Sequence, residues 1–297
     1  MMLVSYRDRG ADADWRAGIA HEGQLLDVSA SQWRDHDRRE GALSVRELLR
    51  REHQNLDDIF AWAGRRFEAK KGLIPLETVE IGPPVPDPDK IICLGVNYRD
   101  HAAEAQQALP VAPMFFAKYR NSLTGPTDPI FLPRVSSEID YEGELAVIIG
   151  TRCKEVSEQD ALRYVAGYTI MNDVSARDVQ MQTSQWMAGK ALDSFAPMGP
   201  GIVPASAIPD PQSLLLTTTL NGQVVQHDST ANMIFSVAAA ISFLSSLMTL
   251  EPGDIIATGT PSGVGFKRTP PLFLREGDIV EVEIEGIGQL RNPVKHA

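Results

Sequence analysis

Glu138-Ile139-Asp140-Tyr141-Glu142-Gly143-Glu144-Leu145-Ala146-Val147-Ile148-Ile149-Gly150 places four carboxylates in seven residues directly ahead of an unbroken apolar run. The run reads as a buried strand. Side chains two apart on a strand share a face, so Glu142 and Glu144 point together while Gly143 faces the other way. Two acids converging where a strand enters the core repel each other unless a cation lies between them. The other reading of the same residues is a strand end whose glutamates face water.

The chain around this stretch has 297 residues, enough for two domains or one large β-rich one, and 43% of them are hydrophobic. With 28 basic against 39 acidic residues its net charge is −11, and no basic cluster is suited to a phosphate backbone. Nucleic acid and anionic membranes are therefore not expected partners. No stretch reaches the length of a membrane span and the first residues lack a signal peptide's apolar core, so a cytoplasmic location is expected. Cys93 and Cys153 sit in apolar or strand-like contexts and are expected to be reduced.

Residues 1–82 read as a small accessory domain and 83–297 as the catalytic one. The first part contains a hairpin about His21-Glu22-Gly23, a helix opened by Ser44, and a second helix over 56–67; His36 and His53 read as surface residues. Four prolines within residues 82–89 mark the boundary. Lys90-Ile91-Ile92-Cys93-Leu94-Gly95 is a short buried strand that empties into a segment bearing His101 and Glu104. One helical turn sets that imidazole beside that carboxylate, the arrangement of an oriented general base; the other reading of the spacing is an ordinary exposed helix pair.

Further along, 157–160 resembles a capping box opening a helix through Val165, and residues 168–171 form a strand ended by Asn172 and Asp173. Asp173 supplies a third oxygen ligand beside Glu142 and Glu144. Three carboxylates without a thiol or imidazole cluster suit Mg²⁺ or Mn²⁺, with Ca²⁺ as the alternative. Ser175 is expected to cap a helix reaching Gln180, which either faces the site or decorates the surface. Residues 184–200 read as a loop in which Lys190 occupies an apolar setting that calls for an anionic partner. Asn221-Gly222 closes a hairpin, 232–248 is an apolar core helix, and 259–265 is a glycine-rich loop fit for close backbone approach to a ligand. The alternating 279–285 reads as an edge strand.

From about residue 89 to 295 the chain resembles the fumarylacetoacetate hydrolase superfamily. Five segments carry the likeness in order: Gly95 to Glu104, Asp140 to Gly150, Asn172 to Gln180, Gly189 to Pro200, and Gly253 to Gly265. The resemblance implies an α+β, β-rich fold with a mixed β-roll catalytic domain, assembled as a homodimer. It implies a divalent metal on Glu142, Glu144 and Asp173, a His101–Glu104 dyad on a mobile lid over residues 98–113, and Lys190, Gln180 and Thr260 at the substrate. Arg177 and Asp178 fall in the motif as structural supports.

The expected substrate is a small oxo acid. An acylpyruvate or other β-diketo acid chelates a metal through two oxygens, and the metal stabilises the enolate left when the C–C bond breaks. His101 takes a proton from the attacking water and Lys190 offsets negative charge on the leaving group. Hydrolysis of such a C–C bond is the first expectation. Oxaloacetate-type decarboxylation and isomerisation of an oxo-diacid need the same enolate, and a non-catalytic metal-binding protein is the reading from another class. Met187 is a candidate for shaping the choice of acyl group.

Overall fold

A computed structural model describes residues 1–11, 13–29, 42–52 and 56–297. His36 and His53 lie outside the described residues. The strand Gly143–Ile149 is buried along its whole length. It pairs antiparallel with Val165–Asn172 on one side and with Ile255–Ala257 on the other. Its two faces serve different cores. Leu145, Val147 and Ile149 pack with Leu216, Val282 and Leu244, whereas Ala146 and Ile148 pack with Leu48, Leu49 and Ile59 of the N-terminal helices. Burial on both faces explains an apolar run without alternation, and each large side chain so buried contributes about 1.5–3 kcal/mol.

The largest sheet runs Leu73–Pro75, Gln24–Asp27, Arg16–His21, Met2–Asp8, Ala196–Pro204, Val165–Asn172, Gly143–Ile149, Ile255–Ala257, Ile91–Gly95 and Met114–Lys118. It is mixed, because Ile255–Ala257 and Ile91–Gly95 run parallel. A five-stranded sheet, ordered Gln223–Ser229, Leu215–Leu220, Ile279–Ile284, Gly288–His296 and Ile130–Leu132, packs against one face. There Gly143 permits close approach: a Cβ on it would run into Thr218 Oγ1 and approach Val282 Cγ1. The fold is α+β and strand-dominated, as expected.

The hairpins stand where the turn residues predict them, with positive φ at Glu22, Gly23, Asn221 and Gly222. Ser44 opens the helix Val45–Glu52, its Oγ accepting from Glu47 N at 3.2 Å. The second helix is Leu56–Glu68. Segment 82–90 is an irregular crossing, and residues on its two sides share a sheet, Leu3 pairing with Ile202.

Several expectations are corrected. Ile279–Ile284 is an inner strand, held on both sides by Leu215–Leu220 and Gly288–His296; its alternation reflects one wet face, not an edge. Ser157 Oγ does accept from Asp160 N, but only a 3-10 turn Ala161–Tyr164 follows, because Val165 joins the ladder with Ile149. Ser175 does not cap a helix: it pairs with Asp140 and donates to Asp173 O, and the helix shortens to Arg177–Gln180. Residues 184–200 are not all loop, holding the helical turn Met187–Lys190 and the start of the strand Ala196–Pro204. The apolar helix is Val237–Leu247, capped by Ser236, whose Oγ accepts from Ala239 N at 3.0 Å. Among the described residues no helix is long and apolar enough to cross a membrane, and both cysteines are free and buried.

Candidate active site

Glu142, Glu144 and Asp173 meet in the interior, each buried, with one oxygen of each within 4.8 Å of the others. The ladder brings them together. Gly143 lies opposite Asn172, Glu142 N donates to Asn172 Oδ1 at 2.9 Å, and Asp173 N donates to Glu142 O at 2.8 Å. Alternation then aims Glu142 and Glu144 at the end of the neighbouring strand, where Asp173 begins the turn.

Three buried cations answer these acids. Lys190 Nζ donates to Glu142 Oε2 at 2.7 Å and to Asp173 Oδ2 at 2.8 Å. Lys118 Nζ donates to Asp173 Oδ1 at 2.5 Å and to Val174 O at 3.0 Å. Arg177 Nη2 donates to Glu142 Oε1 at 2.6 Å, its Nε to Asp140 Oδ2 at 2.9 Å and its Nη1 to Gln180 Oε1 at 3.0 Å. Burial alone would raise Glu142, yet Lys190 and Arg177 overcome it and hold this carboxyl below its ordinary range. Burial likewise opposes the charge on Lys190, but Asp173 and Glu142 raise its pKa above the usual lysine value.

Glu144 differs. Its Oε2 accepts from Gly259 N at 2.8 Å. Burial first, then Asp173 and Glu142, push its pKa well above the carboxylate range. Four buried acids (Asp140, Glu142, Glu144, Asp173) thus face three buried basic side chains, and among the described residues Glu144 is the one of the four without an ion pair, its partner being the Gly259 N–H. An oxygen donor set carrying excess negative charge fits a hard divalent cation.

A cavity of about 40 Å³ opens beside the acids, lined by His101, Gln180, Lys190 and Thr260 among others. Such a volume holds a few waters or a small ligand. His101 Nδ1 lies 3.4 Å from Glu104 Oε2, and Gly263 N donates to both Glu104 oxygens at 3.1 and 3.2 Å. The glycine-rich loop therefore fixes the carboxylate that orients the imidazole. Thr260 Oγ1 is spoken for by the protein: it donates to Gly143 O at 2.9 Å and accepts from Gln226 Nε2 at 2.7 Å. Thr260 thus shapes the cavity wall rather than offering a spare donor.

The lid expectation is revised in extent. Tyr98, His101 and Ala102 are buried, Tyr98 bridges Met233, and Asn97 is bound to Phe235 and Thr258 through its side chain. The dyad therefore stands on an anchored helix, Arg99–Glu104. The helix buries one face and exposes Arg99, Asp100 and Ala103; after it the chain is largely exposed, with Leu109 and Val111 facing solvent.

Sequence reasoning missed Lys118 and Phe116, gave Trp186 no role, and understated Arg177 and Asp140. Asp140 accepts from Gly265 N at 2.7 Å and Phe266 N at 3.1 Å, tying the glycine-rich loop to Arg177 and thence to Glu142. Lys118 carried the signal used for Lys190, a lysine at the end of an apolar stretch, Met114-Phe115-Phe116-Ala117.

Fold and site together define an α+β protein with a buried acid cluster served by a His–Glu pair. The chain belongs to the fumarylacetoacetate hydrolase family: residues 90–295 match the family model described as Fumarylacetoacetate (FAA) hydrolase C-terminal. It is 52% identical over 233 residues to a Fumarylacetoacetate hydrolase domain-containing protein 2 homolog of Dictyostelium discoideum, covering 75% of this chain and 76% of that one. It is 45% identical over 233 residues to the rat (Rattus norvegicus) protein named Oxaloacetate tautomerase Fahd2a, mitochondrial, covering 78% of this chain and 74% of that one. Among solved structures, maleylpyruvate hydrolase from Sphingobium sp. SYK-6, in complex with manganese (II) ion and pyruvate, superposes with a TM-score of 0.79 at 30% identity, with 100% of both chains covered. Enzymes of this family are thus its relatives, and the chain is read as one of them.

Proposed function

We propose that this chain is a divalent-metal-dependent enzyme of short 2-oxo acids that interconverts the keto and enol forms of oxaloacetate-type diacids. The observation that carries the reading is that His101, paired with Glu104, lines a cavity of about 40 Å³ together with Glu142 and Glu144. The 45% identity to a protein named for oxaloacetate tautomerisation supports the same chemistry. Mg²⁺ or Mn²⁺ held by Glu142, Glu144 and Asp173 would supply Lewis acidity toward the oxygens of the oxo acid.

The protein's own groups handle the proton. With Nδ1–H directed at Glu104, the free lone pair of His101 is on Nε2, and it accepts the C3 proton. Glu104, held by Gly263 N, stabilises the imidazolium so formed. Lys190 places fixed positive charge where the carbonyl oxygen gains electron density. The same ring then returns the proton to that oxygen, so no water is consumed. Following the ultraviolet absorbance of enol oxaloacetate tests this, with metal dependence and loss in His101→Ala as the expected result.

Hydrolysis of an acylpyruvate C–C bond is the second reading. A base that takes a proton from carbon can take one from water, and the 30% identical maleylpyruvate hydrolase supports it. Acylpyruvate cleavage outpacing enol–keto exchange would promote this reading over the first.

A further inference from the structure

The cavity is lined by charged and by large apolar side chains. Lys190, Glu142 and Glu144 line it together with Phe116, Trp186 and Gly95. Lys190 Nζ lies 5.0 Å from the centroid of the Phe116 ring. Phe116 in turn meets Trp186 edge-on, with centroids 5.8 Å apart and planes at 65°. Trp186 immediately precedes the helical turn Met187–Lys190 and is tied to it by Gly189 N donating to its carbonyl at 2.9 Å. The indole rests on the backbone of Gly95, where a Cβ would come within 2.5 Å of Cζ3 and 3.2 Å of Cη2.

We propose that Trp186, seated on Gly95 and braced by Phe116, sets the chain length of the acid this site accepts. The inference rests on the reading of the cavity as a 2-oxo acid site. An acid whose oxo end lies at Lys190 meets Phe116 next to that ammonium and Trp186 beyond Phe116 in the same cavity lining. The six-membered ring of the indole is the part that lies against Gly95. Trp186 is half-buried, between the exposed Met181 and Met187, so shortening it opens the cavity outward rather than leaving a sealed void. Each methylene admitted to an apolar pocket is worth roughly 10–200-fold in discrimination.

The test is calorimetric titration of pyruvate and 2-oxooctanoate into Mn²⁺-supplemented full-length protein. Trp186→Ala is expected to shift the ratio of the two affinities by at least about tenfold toward the longer acid. Gly95→Ala drives a Cβ against the indole and is expected to shift the ratio the other way, and Gly95→Ala combined with Trp186→Ala is expected to behave like Trp186→Ala. Pyruvate binding with the same ratio in Trp186→Ala as in the wild type overturns this inference and leaves the proposed function standing. No pyruvate binding to the wild type overturns both.

Discussion

Lys118 Nζ donates to Asp173 Oδ1 at 2.5 Å, and both side chains are excluded from solvent. With Lys190 on Oδ2, Asp173 carries a lysine on each oxygen. Removing one member of such a buried pair strands the other charge, which costs about 3–5 kcal/mol. Lys118→Met is expected to lose about that much in urea unfolding of the metal-free protein, and Lys118→Met with Asp173→Asn is expected to recover part of it. Wild-type stability in Lys118→Met would remove Lys118 from the account of the site.

Much of this site was legible because period-two alternation and a glycine between two glutamates are local. Glu142 and Glu144 share a face as their spacing predicts, and Asn221-Gly222 closes its hairpin. What was not legible depends on pairing between distant segments. Nothing near Met114–Lys118 announces that its lysine will reach Asp173, and nothing in 279–285 tells an inner strand with one wet face from an edge. The pairing of Leu3 with Ile202 is hidden for the same reason. Trp186 had no legible role because its partner is the absent side chain of Gly95.

On the proposed function, proton and metal compete for Glu144. Burial, with Asp173 and Glu142, raises its pKa well above the carboxylate range, so this acid holds its proton at pH values where an ordinary glutamate has lost it. Metal needs the carboxylate, so binding expels that proton, and affinity falls as pH drops below the raised pKa. Mn²⁺ titrations in buffers of different ionisation enthalpy are expected to show proton release that shrinks in Glu144→Gln. Equal release in the two proteins would place the exchanged proton elsewhere.

The anchored and exposed parts of 98–113 should respond differently to ligand. Tyr98 and Ala102 are packed and Val111 stands fully in solvent. Addition of Mn²⁺ with oxalate is expected to slow amide exchange across 105–113 while 98–104 changes little. Slowing confined to 98–104 would mean that the helix bearing His101, not the chain after it, is the moving part.

His101→Ala is expected to lower turnover on the order of 10²–10⁴-fold, the span of a positioned general base. Mn²⁺ affinity should be little altered, since the acid triad keeps its own partners. Glu104→Gln leaves the ring without its anionic partner and should lower turnover less. A histidine variant that loses metal and turnover together would make His101 part of the metal site.

The most direct measurement is the rate of enol-to-keto conversion of oxaloacetate above its buffer rate, with Mn²⁺, with EDTA, and with Glu142→Gln in place of the wild type. Glu142 is the acid shared by Lys190 and Arg177, so its neutral replacement removes a charge on which two buried cations converge. The account predicts acceleration by the wild-type protein with Mn²⁺, abolished by EDTA, restored by added metal and strongly reduced in Glu142→Gln. Interconversion that stays at the buffer rate with Mn²⁺ present, or that proceeds at full speed in EDTA, would contradict it.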